Sequence, residues 1–184
     1  MTKILAFGAS NSSKSINVQL ARYAMDKLAE KTSVERLWID LNDFEMPIFG
    51  VDREARDGVP EPAHRFKGLI REAEGVLISF AEHNGSYSVA FKNLLDWSSR
   101  IEKSLWLDRP LCLMATSPGA RGGQSVLQAA TARFPYMNSE VVSSFSLPRF
   151  RENFDPGRGI TDPALAAQFE ATLDAFRARL EASS

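Results

Sequence analysis

Residues 3–17 read KILAFGASNSSKSIN, an apolar run followed by a Ser-rich turn and the start of a helical pattern. Ile16, Leu20, Ala24 and Leu28 recur at steps of four, which indicates one buried face of an α-helix. A strand that turns into a helix through small polar residues offers backbone N–H groups and a helix dipole to an anion. The same turn is an ordinary helix N-cap, so these residues alone leave phosphate binding and simple capping open.

Further apolar runs alternate with helical patterns along the rest of the chain. They lie at 33–40, 75–80, 110–116 and 140–147. This alternation predicts right-handed βαβ crossovers, and hence an α/β fold with a parallel sheet between two helix layers. Helices are expected at 63–75, 88–106 and 122–134, and from Pro163 with Asp162 as N-cap. Residues 41–62 are expected to be an excursion, and 1–184 a single domain.

Composition and charge narrow the class of protein. The chain has 184 residues, is 44% hydrophobic and carries a net charge of −1, so its overall field favours neither nucleic acid nor an anionic membrane surface. No apolar run reaches membrane-spanning length, and the N-terminus lacks the apolar core of a signal peptide, so a cytoplasmic location is expected. Cys112 lies in an apolar run and is expected to be inert, and two separated histidines make a metal site improbable.

In a parallel sheet, ligands bind beyond the carboxyl ends of the strands, so the loops after the first, third and fourth runs are the places to look. The second of these loops, AEHNGSYS at 81–88, contains Asn84-Gly85, a pair suited to a tight turn with positive φ. That turn would expose backbone groups to the edge of a planar heterocycle, although N-G is also common in plain surface turns. The third loop, SPGARGGQS at 117–125, holds three glycines that allow close approach of backbone to a ligand.

Taken together, these loops resemble the NADPH-dependent FMN reductase family of flavodoxin-like proteins. The middle motif is the most specific, because seven positions fit the family pattern P-E-Y-N-x-S-x-x-x-x-x-K-N-x-x-D-W: Glu82, Asn84, Ser86, Lys92, Asn93, Asp96 and Trp97. Ser10, Ser15 and Asn17 match the first loop of the family. The third loop matches S-P-G-x-x-G-G at Ser117, Pro118, Gly119, Gly122 and Gly123.

The resemblance implies a flavodoxin-like three-layer sandwich, with a five-stranded parallel sheet in the order 2-1-3-4-5 and helices on both faces. It also implies FMN binding at three places. The 5′-phosphate would be held by Ser10, Ser12, Ser15 and Asn17. The isoalloxazine edge would be wrapped by Glu82, His83, Asn84, Gly85 and Ser86, and the ring bordered on its other side by Ser117, Pro118, Gly119 and Gly122.

Three positions depart from the family pattern. Ser12 stands where the family has an arginine, which removes a charge-assisted bond to phosphate that Lys14 could replace. Ala81 replaces a proline. His83 replaces a tyrosine beside the ring, a change that bears on the acceptor or the redox potential.

The implied chemistry is ping-pong hydride transfer from NADPH, or NADH, through FMN to a small acceptor: a flavin, a quinone, an azo compound or a metal oxyanion. Because the cofactor carries this chemistry, no catalytic side chain is named. Family members often form homodimers or homotetramers. The alternatives are a non-enzymatic flavodoxin-type carrier, which is typically more acidic than this chain, and a flavin-free relative.

A P-loop phosphotransferase is a further alternative, since the stretch from Gly8 nearly spells G-x-x-x-x-G-K-[ST] and Asp40 could carry Mg²⁺. Ser13 occupies the position of the second glycine, however, where the backbone must curl around a phosphate. That alternative also leaves the other two loops unexplained. The flavin phosphate is therefore the favoured interpretation.

The helix after the second loop carries the remaining motif residues. Lys92 and Asp96 are four residues apart, so a helical ion pair is favoured over catalysis. Asn93 is expected to brace the turn at 82–86. Trp97 and Trp106 are either core residues or part of a subunit interface.

Overall fold

Five parallel strands form the central sheet of the computed structural model, which describes residues 1–182. The strands of the chain are β1 (Thr2–Ala9), β2 (Val34–Trp38), β3 (Gly75–Phe80), β4 (Glu82–His83), β5 (Ser86–Tyr87), β6 (Arg109–Thr116), β7 (Ser139–Leu147), β8 (Phe154–Asp155) and β9 (Gly159–Ile160). The sheet runs β2-β1-β3-β6-β7, and the two-residue strands pair as the hairpins β4-β5 and β8-β9. The five long strands are the predicted ones, so the predicted order is confirmed.

Helices cover both faces of this sheet. They are α1 (Ile16–Lys31), α2 (Val51–Asp57), α3 (Glu61–Glu72), α4 (Val89–Ser98), α5 (Gln124–Arg133), α6 (Phe150–Asn153) and α7 (Pro163–Glu181), with 3₁₀ turns at Leu41–Phe44 and Phe134–Met137. Helices α1 and α7 pack on one face, and α3, α4 and α5 on the other. The predicted three-layer sandwich is thereby confirmed.

Strand residues alternate between two separate hydrophobic cores. Leu5 and Phe7 of β1 belong to the core under α3, α4 and α5, whereas Ile4 and Ala6 belong to the core under α1 and α7. All residues of β3 are buried. This is why the strands read as nearly continuous apolar runs instead of alternating ones.

The strand order places the three predicted loops at one edge of the sheet. The chain leaves β1 towards β2 on one side, and leaves β3 towards β6 on the other. The order therefore reverses between β1 and β3, and their carboxyl ends open a crevice at this switch point. The loops after β1, β3 and β6 all border it.

The helix predicted at 88–106 is wrong in its second half, because α4 ends at Ser98. Residues 99–108 form a loop that a buried lysine holds in place. Lys67 of α3 donates to the carbonyls of Ser104 and Leu105, and pairs with Glu102 at 2.9 Å. Desolvation lowers the pKa of Lys67, while Glu102 opposes that shift. The sequence pattern typical of a helix continues past residue 98, but the contact with Lys67 of α3 determines the backbone conformation there.

The two tryptophans belong to the core. Trp97 and Trp106 are both 0% exposed, so the interface interpretation of these side chains is wrong. Val89, the first residue of α4, is 66% exposed. The predicted start of the last helix is confirmed. The Asp162 carboxylate accepts from the N–H of Leu165 at 2.9 Å, and Pro163 begins α7.

Within residues 1–182, none of the helices combines the length and the apolar character needed to cross a lipid bilayer.

The thiol of Cys112 should be unreactive while the protein is folded. Cys112 is 0% exposed in β6, and burial raises its pKa to about 12, against a smaller lowering by a hydrogen bond with Ser143. Because the thiolate is the reactive form, a thiol-reactive dye at mildly alkaline pH should label no folded protein and one cysteine per chain in denaturant. Rapid labelling of the native protein would show that β6 is accessible, contrary to this structure.

Candidate functional site

A cavity of about 240 Å³, hereafter the first cavity, lies where the three loops meet. All three loops contribute to its lining. The predicted site residues that line it are Ser10, Ser12, Ser15, Asn17, Glu82, His83, Ser117 and Pro118. The other predicted residues lie near it without lining it: Asn84, Gly85, Ser86, Gly119 and Gly122. Ile16, Ala81 and Thr116 also line it, although they were not among the predicted site residues.

The first loop is shaped by a close approach between β1 and α1. A Cβ on Gly8 would lie 2.5 Å from the backbone nitrogen of Val18, so only glycine permits this strand-to-helix contact. The loop then folds on its own hydroxyls: Ser12 N–H donates to Ser10 Oγ at 3.1 Å, and Lys14 N–H donates to Ser12 Oγ at 3.3 Å. The loop is therefore held without a ligand.

Three backbone N–H groups around the start of α1 are available to a ligand. Ser15 caps α1 by accepting from Val18 N–H at 3.2 Å. In the described structure, the N–H groups of Ser13, Ile16 and Asn17 have no hydrogen-bond partner. No acidic side chain lies in the described first turn of α1. Unengaged N–H groups at a helix N-terminus, with serine hydroxyls beside them, fit a phosphate monoester.

The side chain of Asn17 forms hydrogen bonds to two strands beside the first cavity. Its Oδ1 accepts from Ser79 Oγ at 2.8 Å and from Thr116 N–H at 3.0 Å, and its Nδ2 donates to the Thr116 carbonyl at 3.1 Å. One buried amide thus joins α1 to the carboxyl ends of β3 and β6. With its side-chain oxygen engaged twice, Asn17 offers a ligand mainly its backbone N–H.

The second loop is a tight hairpin. Asn84 and Gly85 have φ values of 51° and 74°, which confirms the predicted positive-φ turn. The carboxylate of Glu82 accepts from Val126 N–H at 2.9 Å in the first turn of α5. Gly123, the N-cap of α5, has no side chain to satisfy that donor. Glu82 therefore supplies the missing cap from another loop and fixes the hairpin to α5.

The third loop is attached to the segment after β7. Arg149 N–H donates to the Gly119 carbonyl at 2.9 Å, and Phe150 N–H donates to the Ser117 carbonyl at 3.1 Å. At Gly122, φ is 58° and a Cβ would lie 2.5 Å from Ser146 Oγ. The structural role of Gly122 is therefore to let the loop pack against the end of β7.

A second cavity of about 310 Å³ adjoins the first, and His83 lines both. Its polar lining includes Asn11, Asn42 and Glu45, and its apolar lining includes Phe44, Met46, Ile48, Val89 and Ala90. Most of these residues come from the predicted excursion. The only sequence signal in residues 41–62 is their richness in Pro, Gly and Asp, and this composition does not predict a cavity.

Helix α4 agrees with one prediction and corrects another. Lys92 and Asp96 form the predicted ion pair, at 2.7 Å. Asn93 does not brace the 82–86 turn, because its side chain binds the backbone of residues 46–49 instead. Within residues 1–182, no three His, Cys, Asp or Glu side chains are grouped so that they could hold a metal ion.

Comparison with known proteins agrees with these motifs. The family model for NADPH-dependent FMN reductase matches residues 2–152. An NADPH:quinone oxidoreductase of Arabidopsis thaliana is 32% identical over 126 residues, covering 68% of this chain and 63% of that protein. A probable NADPH:quinone oxidoreductase of Oryza sativa subsp. japonica is 27% identical over 189 residues, covering 97% of this chain and 90% of that protein.

A solved structure supports the same fold. The flavoenzyme NAD(P)H:(acceptor) oxidoreductase of Paracoccus denitrificans superposes with a TM-score of 0.76 at 24% identity, covering 98% of each chain. At this identity the likeness concerns the fold.

Replacing Asn17 with alanine should destabilise the protein by about 2–3 kcal/mol, because Thr116 and Ser79 would lose their buried partners. The loss should appear as a lower urea midpoint with an unchanged slope. Asn11→Ala is the matched control: it removes the same side chain from the loop that precedes α1, at an exposed position with no side-chain hydrogen bond in the described structure. Equal midpoints for the two variants would contradict the bridging role of Asn17.

Proposed function

The chain belongs to the NADPH-dependent FMN reductase family, and from this premise we propose that it is an FMN-dependent NAD(P)H oxidoreductase that reduces quinones by a ping-pong cycle. The family match over residues 2–152 supports FMN as the cofactor and NADPH as the reductant. The observation that carries the proposal is the unengaged N–H groups of Ile16 and Asn17, two residues that line a cavity bordered by all three loops, with the unengaged N–H of Ser13 in the same loop.

In this proposal the first loop holds the phosphate of FMN. The three N–H groups and the hydroxyls of Ser10, Ser12 and Ser15 supply the hydrogen bonds, and Lys14 supplies positive charge in place of the family arginine. Glu82 to Ser86 would wrap the ring edge, largely through backbone groups. Ser117, Pro118 and Gly119 would border the ring from the other side, with Gly122 securing that loop.

FMN, when bound, supplies the hydride chemistry that the side chains of this chain lack. The protein's part is to bind the cofactor, orient it and leave one side open. The two cavities adjoin at His83, so a ligand in the second cavity would lie beside the bound ring. A single open position is consistent with a reductant and an acceptor that bind in turn.

The lining of the second cavity favours a neutral acceptor over an anionic one. Among the described residues that line it, none is a lysine or an arginine, while Glu45 contributes a carboxylate. A negatively charged oxyanion would be repelled by that carboxylate, and no lining side chain would offer it a countercharge. A flat quinone would pack against Phe44 and Met46 and bond the polar groups at its edges. The curated relatives from Arabidopsis and rice bear quinone oxidoreductase names, which supports the same acceptor class.

We further propose that the protein acts as a homodimer or homotetramer. Ile48, Val51 and Val89 are large apolar side chains that are 62%, 70% and 66% exposed. They come from the excursion and from the first residue of α4. Apolar side chains of this size on one region of a surface are typical of a contact with another subunit.

Replacing Ser15 with aspartate should weaken FMN binding by about tenfold or more, because a carboxylate would stand beside the cofactor phosphate. Aspartate caps helices as well as serine does, so the fold should be retained. Ser15→Asn is the matched control, since it also caps and carries no charge. Dissociation constants follow from quenching of flavin fluorescence, and equal constants for the two variants would place the phosphate elsewhere.

Anaerobic NADPH should bleach the bound flavin of this protein, and a quinone should restore its absorption. A flavodoxin-type carrier would stay oxidised when NADPH alone is added.

Naphthoquinone should be reduced faster than its sulfonated derivative, and Glu45→Gln should narrow that difference in rate because the repelling charge is removed. Failure of NADPH to bleach the flavin would refute the enzymatic proposal, and equal rates for both quinones would refute the acceptor class.

A further inference from the structure

One wall of the second cavity is a chain segment without regular structure. Residues 46–49, hereafter the wall segment, lie between the 3₁₀ turn at Leu41–Phe44 and α2, outside any helix or strand. Met46 and Ile48 of this segment line the cavity. Because the segment has no ladder or helix bonds, its backbone polar groups need partners from elsewhere.

Asn93 of α4 supplies most of these partners. Its Oδ1 accepts from Phe49 N–H at 2.8 Å, and its Nδ2 donates to the carbonyls of Met46 and Pro47, both at 3.2 Å. The residue is 8% exposed and also lines the second cavity. A single amide therefore spans the whole wall segment and faces the space that the segment encloses.

Trp97, one helical turn further along α4, reinforces this attachment. Its Nε1 donates to the Pro47 carbonyl at 2.7 Å, and its ring meets the ring of Phe49 edge-on with centroids 5.0 Å apart. The indole is 0% exposed. Asn93 and Trp97 thus fix the wall segment to α4, while Lys92 and Asp96 pair with each other on an exposed part of the same helix.

From these contacts we infer that Asn93 is a positioning residue that sets the width of the second cavity, and so the affinity for the acceptor. The inference rests on the proposed function, because it assigns that cavity to a flat, neutral quinone. Phe44, Met46 and Ala90 give this cavity apolar walls. An aromatic ring inserted between the wall segment and α4 would pack against them.

The test compares Asn93→Ala with Lys92→Ala, its neighbour on the same helix. Asn93→Ala should raise the KM for benzoquinone on the order of tenfold, because a displaced wall no longer positions the acceptor. The kcat and the dissociation constant of FMN should stay within about twofold of the wild-type values. Lys92→Ala removes only the exposed ion pair with Asp96, and should leave all three quantities unchanged.

Asn93→Asp provides a second variant. It keeps an acceptor for Phe49 N–H but places a carboxylate oxygen against the Met46 and Pro47 carbonyls, which repel it. Its KM for benzoquinone should rise at least as much as that of Asn93→Ala. Should the alanine variant fail to fold, the aspartate variant carries the same comparison.

Limited proteolysis gives a readout that needs no turnover. Glu45 is exposed and immediately precedes the wall segment. A protease that cuts after glutamate should cleave Asn93→Ala there faster than Lys92→Ala, because a loosened segment enters a protease site more often.

The outcomes separate the two proposals. An unchanged KM for benzoquinone in Asn93→Ala, with normal FMN binding, overturns the positioning role whether or not cleavage at Glu45 is faster, and leaves the proposed function intact. A wild-type protein that binds FMN but does not pass electrons from NADPH to benzoquinone overturns the proposed function and the positioning role together.

Discussion

The buried amide of Asn17 is the contact on which the arrangement of the site depends. The ladders pair β1, β3 and β6 up to their carboxyl ends, but they do not determine how α1 sits above these ends. Asn17 fixes that position by bonding Ser79 of β3 and both backbone groups of Thr116 in β6 from the first turn of α1. Because those partners are buried, their desolvation makes any other arrangement costly. The three loops then leave the sheet from fixed positions around the first cavity.

The first loop divides its polar groups between the fold and a ligand. Ser10 and Ser12 accept bonds from the loop's own backbone, and Ser15 caps α1. The N–H groups of Ser13, Ile16 and Asn17 have no hydrogen-bond partner in the described structure. A phosphate can use such fixed donors at little entropic cost, because the loop is already ordered. In the proposed function, these ordered donors and the helix dipole would bind the phosphate where Ser12 replaces the arginine of the family pattern.

The sequence predicts this protein well where structure is local, and poorly where it depends on distant partners. Strand alternation, the N-cap at Asp162 and the Asn84-Gly85 turn follow from neighbouring residues, and the structure contains all three. Asn93 illustrates the opposite case, since its partners lie 44 to 47 residues away along the chain. Glu82 likewise caps a helix 44 residues later. Lys67 ends the helical pattern after Ser98 from another helix. Spacing within one segment cannot reveal contacts of this kind.

In the proposed function, the two cavities would position the flavin and its reaction partners without a dedicated acid or base. Their boundary is the β4-β5 hairpin, whose turn is set by Asn84-Gly85 and whose Glu82 is bonded to α5. On the opposite side of the second cavity, Asn93 and Trp97 hold the wall segment against α4. Both boundaries are therefore fixed by buried or half-buried hydrogen bonds. Hydride transfer depends steeply on the distance and alignment of its two partners, so adjoining cavities with fixed boundaries would supply what the proposed reaction requires of the protein.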